Sequence, residues 1–170
     1  MIETTLTDIE NWSKDDSVDA VKSKLLSKLA VIELCGWLEE WMDEFIREID
    51  TLTIVDPDWI KANLIDRTNG FHYDKHFRPM ICSLIGEHAI RRIEAEFESD
   101  GGGDFESLKS TLGDLWKKRC MLAHADMQGH KRQQMTFMGP SWTKNQYKLL
   151  NKRLENLKTI ARSHVVNAAP

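Results

Sequence analysis

Apolar residues recur along the chain at spacings of mostly three and four. From Val18 onward the pattern runs Val21, Leu25, Leu29, Ile32, Leu34, Trp37, Leu38, Trp41, Phe45 and Ile49. It predicts one helix to about Asp50 with a single broad apolar stripe. Roughly thirty residues is long for a globular helix, which suggests an axial element. Thr7 to Ser13 reads as a short leading helix. Asp56-Pro57-Asp58 is a start signal, with proline near the first turn and acids complementing the dipole. The segment it opens, from Trp59 to about Arg67, stops at the turn dipeptide Asn69-Gly70. A second start near Arg78-Pro79 carries Met80, Ile81, Leu84, Ile85, Ala89, Ile90, Ile93 and Phe97. Gly101-Gly102-Gly103 breaks the chain. Asp104 then N-caps a helix that buries Phe105, Leu108, Leu112, Leu115, Trp116 and Leu122. Residues 125 to 140 lack periodicity and read as a loop, with a short extended piece at Gln134 to Phe137. Ser141 is the expected cap of a last helix through Tyr147, Leu149, Leu150, Leu154, Leu157, Ile160 and Ala161, and residues 165 to 170 read as a frayed tail. No repeat and no strand alternation occurs. The expected fold is all-α, an antiparallel bundle of about four long helices plus two short ones.

Composition adds limits. With 170 residues, 41% hydrophobic and 29% charged, the chain suits one domain spanning 1–170, with its core at about 15–165 and a flexible link at Gly101–Gly103. No apolar run approaches the ~20 residues of a membrane span. The start, Met1-Ile2-Glu3-Thr4, does not read as a secretory signal. Cys35, Cys82 and Cys120 are too scattered for a disulfide framework or a zinc module. A cytoplasmic location is expected.

The net charge of −4 is unevenly spread. Residues 105–170 hold twelve basic and four acidic side chains, a net +8, whereas residues 1–104 hold 11 basic and 23 acidic ones, a net −12. A basic face can collect phosphates on an acidic molecule, although charge runs are commonly just solvated helix faces.

The basic residues are densest around Lys117-Lys118-Arg119-Cys120-Met121-Leu122-Ala123-His124-Ala125-Asp126. Arginine binds phosphate through a planar fork and stays charged. Histidine moves protons near neutral pH. Together they supply what RNA cleavage without a metal requires: a proton shuttle at the ribose 2′-hydroxyl or leaving oxygen, and charge stabilisation at phosphorus. A separation of five turns the two positions about 140° apart on an ideal helix. They converge if the helix ends or bulges near Ala123, or if two chains combine their sites. The alternative is that both are simply cations at a helix C-terminus.

This stretch resembles the HEPN superfamily, whose hallmark is an Arg-x4-6-His motif in an all-helical bundle. Arg119-x-x-x-Ala123-His124 followed by a small residue is similar to the Arg-Asn-x-x-Ala-His-Gly signature of the RiboL-PSP branch. The long early helix around Glu33 to Glu40, and the segment from Asn69-Gly70-Phe71-His72 to Leu84-Ile85-Gly86, resemble the corresponding regions of that branch. The resemblance implies a homodimeric, metal-independent endoribonuclease with no cofactor that leaves a cyclic phosphate. Arg119 would hold the phosphate and His124 would transfer the proton, in a cleft lined by both protomers. It also implies a toxin or antiphage role, with an antitoxin protein as a possible partner beside RNA. Two positions depart from the signature: Cys120 stands where the family usually has a polar residue, and Ala125 replaces glycine. The first leaves open a non-catalytic module that binds RNA or protein. Asp126 either orients His124 or is a surface acid, and Lys117, Lys118, Lys131 and Arg132 are candidate RNA contacts.

Other features weigh less. His72 and His76, at i and i+4, would make half a metal site, but no third ligand follows at a suitable spacing, and no metal is expected. Phe71, Tyr73 and Arg78 beside them could stack or pair with RNA. Trp37 and Trp41 read as core or interface anchors rather than a base-stacking platform.

Overall fold

The computed structural model describes residues 2–53, 56–99, 104–124 and 138–168. Six α-helices follow one another in them: α1 (Ile2–Ser13), α2 (Ala20–Thr53), α3 (Pro57–Ile60), α4 (Arg78–Ser99), α5 (Phe105–His124) and α6 (Pro140–Ala168). π-Helical turns at Lys61–Ile65 and Tyr73–Phe77 lie between α3 and α4. No strand occurs among the described residues, so the chain is all-α. No helix among them is long and apolar enough to cross a membrane.

The helix starts follow from local chemistry. Asp19 Oδ1 accepts from the amides of Val21 and Lys22 at 2.9 and 2.8 Å, and Asp56 Oδ1 accepts from Asp58 N with Pro57 in the first turn. Asp104 Oδ1 accepts from Ser107 N at 3.2 Å. Each carboxylate satisfies an amide that has no partner inside its helix. The last helix differs from expectation. It opens at Pro140, with the Gly139 carbonyl accepting from Trp142 N at 3.0 Å. The Ser141 hydroxyl instead donates to Glu10 Oε1 at 2.8 Å. Proline has no amide to satisfy and its φ suits the first turn, so the helix needs no serine cap. α6 also runs through residues 165–168, where fraying was expected, because Val165 is buried. The leading helix begins at Ile2 rather than Thr7, so that Leu6 and Ile9 share one buried face.

The chain divides into two compact units, one of Met1–Trp37 and Asp114–Leu149, the other of Leu38–Gly113 and Leu150–Pro170. In the first, Leu6 and Ile9 of α1 pack with Ala30 of α2, and Ile2, Leu26 and Tyr147 close over them. Trp37 meets Tyr147 edge to face at 4.9 Å. The buried Cys35 thiol lies 4.0 Å from the Leu115 carbonyl. In the second, an aromatic chain forms the centre: Trp41–Phe45, Phe45–Phe77, Tyr73–Phe77, Tyr73–Phe105 and Phe97–Phe105, with ring centroids 5.0–6.0 Å apart. Such rings bury large apolar area and favour offset or edge-on contact. Trp41 is a core residue whose indole N–H donates to Glu155 at 3.0 Å.

Two departures from the periodicity are informative. In α4, Gly86 adopts φ 80°, ψ 162°, so the helix is kinked there. Arg78 spans the kink with a fork onto both carboxylate oxygens of Glu87, each at 2.9 Å, while its Nε donates to Glu94 at 2.8 Å. Tyr73 OH also donates to Glu94 at 2.9 Å. In α2, Val21, Leu25 and Leu29 are exposed although the pattern assigned them to the buried stripe.

Candidate functional site

Arg119 and His124 both belong to α5, with His124 as its last residue. The helix stays regular through Ala123, so their positions lie about 140° apart around its axis and about 7.5 Å along it. Of His124 only the backbone position belongs to the described structure. Asp126, Lys131 and Arg132 lie outside the described residues, as do Gly101–Gly103 and the proposed extended piece at Gln134–Phe137.

The cations at this end of α5 have definite partners. The Arg119 guanidinium carbon stands 5.3 Å from the centroid of the Trp116 ring, one turn back on the same helix. Lys118 Nζ stands 4.5 Å from the centroid of the Trp142 ring in the first turn of α6. Each cation sits at a distance where the negative face of an indole attracts it. Lys117 is exposed and pairs with Asp114 at 3.3 Å. Cys120 is a free, half-buried thiol, and Met121 beside it is exposed. The structure thus brings Lys117, Lys118, Arg119 and Cys120 onto the last two turns of one helix. The spacing of Trp116 and Arg119 was legible in the sequence as an i, i+3 pair. Trp142 was not, because nothing local links it to Lys118.

Four of the twelve basic side chains of residues 105–170 pair with N-terminal acids. In the first unit Lys144 pairs with Glu10 at 3.0 Å and Lys148 with Glu3 at 3.7 Å. In the second, Lys158 and Arg162 both pair with Glu48. Glu10 also accepts from Lys14 and Ser141. Hydrogen bonds from Lys14, Lys144 and Ser141 hold its carboxyl down at about 2. Segregation of charge along the chain is therefore only in part segregation in space, and Lys118 and Arg119 both lie against indoles.

The other candidates resolve as structure. Phe71 and Tyr73 are fully buried and Arg78 is engaged by Glu87 and Glu94, so these residues do not offer a stacking surface. His72 precedes the π-helical turn with extended backbone, and its amide donates to His76 Nδ1 at 3.2 Å. Burial lowers the His76 pKa, helped by the neighbouring His72 and Lys75. No group of three or more His, Cys, Asp or Glu side chains able to hold a metal occurs among the described residues. A cavity of about 440 Å³ in the second unit, announced by no local motif, is lined by Glu39, Asp43, Ile65, Asp66, Thr68, Asn69 and Gly70. Burial raises the Asp43 carboxyl, against an opposing pull from Arg47. Three carboxylates around one cavity repel phosphate, so it does not suit a nucleic acid.

Compared with family models, with curated proteins and with solved structures, the chain matches none of them.

Proposed function

We propose that the chain is a cytoplasmic, metal-independent endoribonuclease of the HEPN type, an antiparallel bundle acting as a homodimer. The observation that carries the reading is the end of α5, where Lys117, Lys118 and Arg119 lead into His124 on a single helix. His124 takes the proton from a ribose 2′-hydroxyl, whose oxygen attacks phosphorus. Arg119 holds the charge that builds on the phosphoryl oxygens. The bond to the 5′-oxygen breaks, that oxygen takes a proton from a His124 imidazolium of the shared cleft, and a 2′,3′-cyclic phosphate remains. The 140° between the two positions argues that one copy's pair does not converge on one phosphate. A cleft shared by two copies removes that difficulty. Lys118, and Lys131 and Arg132 in the following segment, would hold the flanking backbone. A nuclease of this kind fits a toxin or antiphage effector restrained by an antitoxin protein.

A second reading is a non-catalytic module that binds RNA or a protein. Cys120 and the placing of Lys118 and Arg119 against indole faces favour it. One experiment separates them. Purified protein is incubated with total RNA in EDTA, beside Arg119→Ala and His124→Ala. Cleavage that survives EDTA and is lost in both variants is the expected result. Cleavage indifferent to both substitutions refutes the assignment, and binding without cutting establishes the module.

A further inference from the structure

The first half of α2 is apolar on two opposite faces. At 100° per residue, Ser27, Ala30, Val31 and Leu34 share the face that is buried. Val21, Leu25, Leu29 and Ile32 share the other, about 180° away. Val21, Leu25 and Leu29 are 55%, 45% and 39% exposed, and Ile32 is half-buried. Single exposed leucines are ordinary, but a continuous row at i, i+4 and i+8 is a patch.

The charges beside the row indicate what covers it. Lys22 and Glu33 stand on the same flank, about 20° apart around the axis. Neither closes a salt bridge among the described residues. Two helices paired antiparallel about a two-fold axis set like flanks against each other, because the axis maps each flank onto its own copy. The midpoint of the row falls near residue 27. Rotation about residue 27 places Leu25 opposite Leu29 of the second copy, and brings Val21 within one residue, about 1.5 Å along the axis, of Ile32 and Lys22 within one residue of Glu33, each twice. A parallel pairing would bring Lys22 alongside Lys24 of the copy instead, a like-charge contact.

We propose that this face of α2 is a homotypic docking surface on which a second copy of the chain lies antiparallel. It does not rest on the nuclease reading, since it carries neither Arg119 nor His124. A row of four apolar side chains is a small anchor set, and association is expected at about 10–100 µM chain. Lys28 lies on the opposite flank near the axis and meets its own copy. Lys28→Gln is therefore expected to tighten the pairing.

Sedimentation equilibrium of the full chain across that concentration range tests the proposal. Wild type is expected to dimerise. Leu29→Glu should weaken association by about 30-fold or more, with unchanged far-UV circular dichroism because the position faces away from the core. Lys22→Glu and Glu33→Lys should each weaken it about 10-fold, and the double variant should restore it. A wild-type chain that stays monomeric, a dimer that Leu29→Glu leaves intact, or a double variant without rescue overturns the proposal. A dimer that Leu29→Glu leaves intact overturns this surface and leaves the shared nuclease cleft standing, whereas a monomeric wild type overturns both.

Discussion

Gly36 and Gly86 allow the same substitution to be read with opposite signs. A Cβ built at either position meets nothing within 4 Å. Steric contact therefore contributes nothing at either site, and only the backbone distinguishes them. Gly36 lies within the regular α2, where glycine is about 1 kcal/mol worse than alanine because it gives up more freedom on folding. Gly36→Ala should stabilise by about 0.5–1 kcal/mol. Gly86 holds φ 80°, ψ 162°, a region that side chains with a Cβ avoid at about 1–3 kcal/mol. Gly86→Ala must bear that strain or swing φ negative. The second course would move Glu87, the next residue, away from the Arg78 fork. The expected change is a loss of about 1–3 kcal/mol. At roughly 2–4 °C per kcal/mol for a chain of this size, the two variants should bracket the wild-type Tm. Thermal unfolding followed by circular dichroism, in dilute solution, reads both shifts. If Gly86→Ala melts at or above the Tm of wild type, the strain argument is wrong.

The register of α6 can be tested at adjacent leucines: Leu149 is 58% exposed and Leu150 1%. Leu149→Ala should change stability by less than about 0.5 kcal/mol, Leu150→Ala should cost about 2–5 kcal/mol, and equal urea midpoints would refute the register. Acid should expose a carboxylate linkage. Hydrogen bonds from Arg78, Arg91 and Cys82 hold Glu87 down at about 2, and Glu10 sits equally low, against an ordinary 4.5. A depressed folded pKa contributes stability above the unfolded value and loses it as pH falls through the folded one. The Tm should therefore drop between about pH 4.5 and 2, and less steeply in Arg78→Met and Lys144→Met; an unchanged slope in both would remove the linkage. Tyr73→Phe deletes the hydroxyl that donates to Glu94 at 2.9 Å while keeping the ring in the aromatic core, so a loss of about 1–2 kcal/mol in urea unfolding is expected, and no loss would mean Arg78 alone satisfies Glu94.

Much of the fold could be read locally. The long stretch ending at Thr53, the starts at Asp56-Pro57 and Asp104, and the stop at Asn69-Gly70, where Gly70 holds φ 143°, depend on spacing, caps and glycine, which act within a few residues. The kink at Gly86 was not legible, because glycine inside an apolar period looks the same whether it is helical or turned. The π-helical turns were missed for a similar reason: one extra residue per turn is set by what packs around it. At the candidate site, the sequence supplied the run from Lys117 to His124, but it could not show that α5 remains helical to His124 and so keeps the two motif positions apart.

The amino-acid order by itself determined an all-helical chain, because period and capping are local properties that tertiary packing had only to accept. It also determined which helix carries Arg119 and His124. Tertiary structure alone decided which apolar face of α2 is buried, since Val21, Leu25 and Leu29 satisfy the same period as Ala30 and Leu34 and differ only in having nothing to pack against. It decided, too, what the charge asymmetry means. Coulomb attraction depends on distance in space, and folding sets Glu10 beside Lys144 and Glu48 beside Lys158 and Arg162. Part of the apparent basic field is thereby cancelled, while Lys118 faces the Trp142 indole instead of an acid.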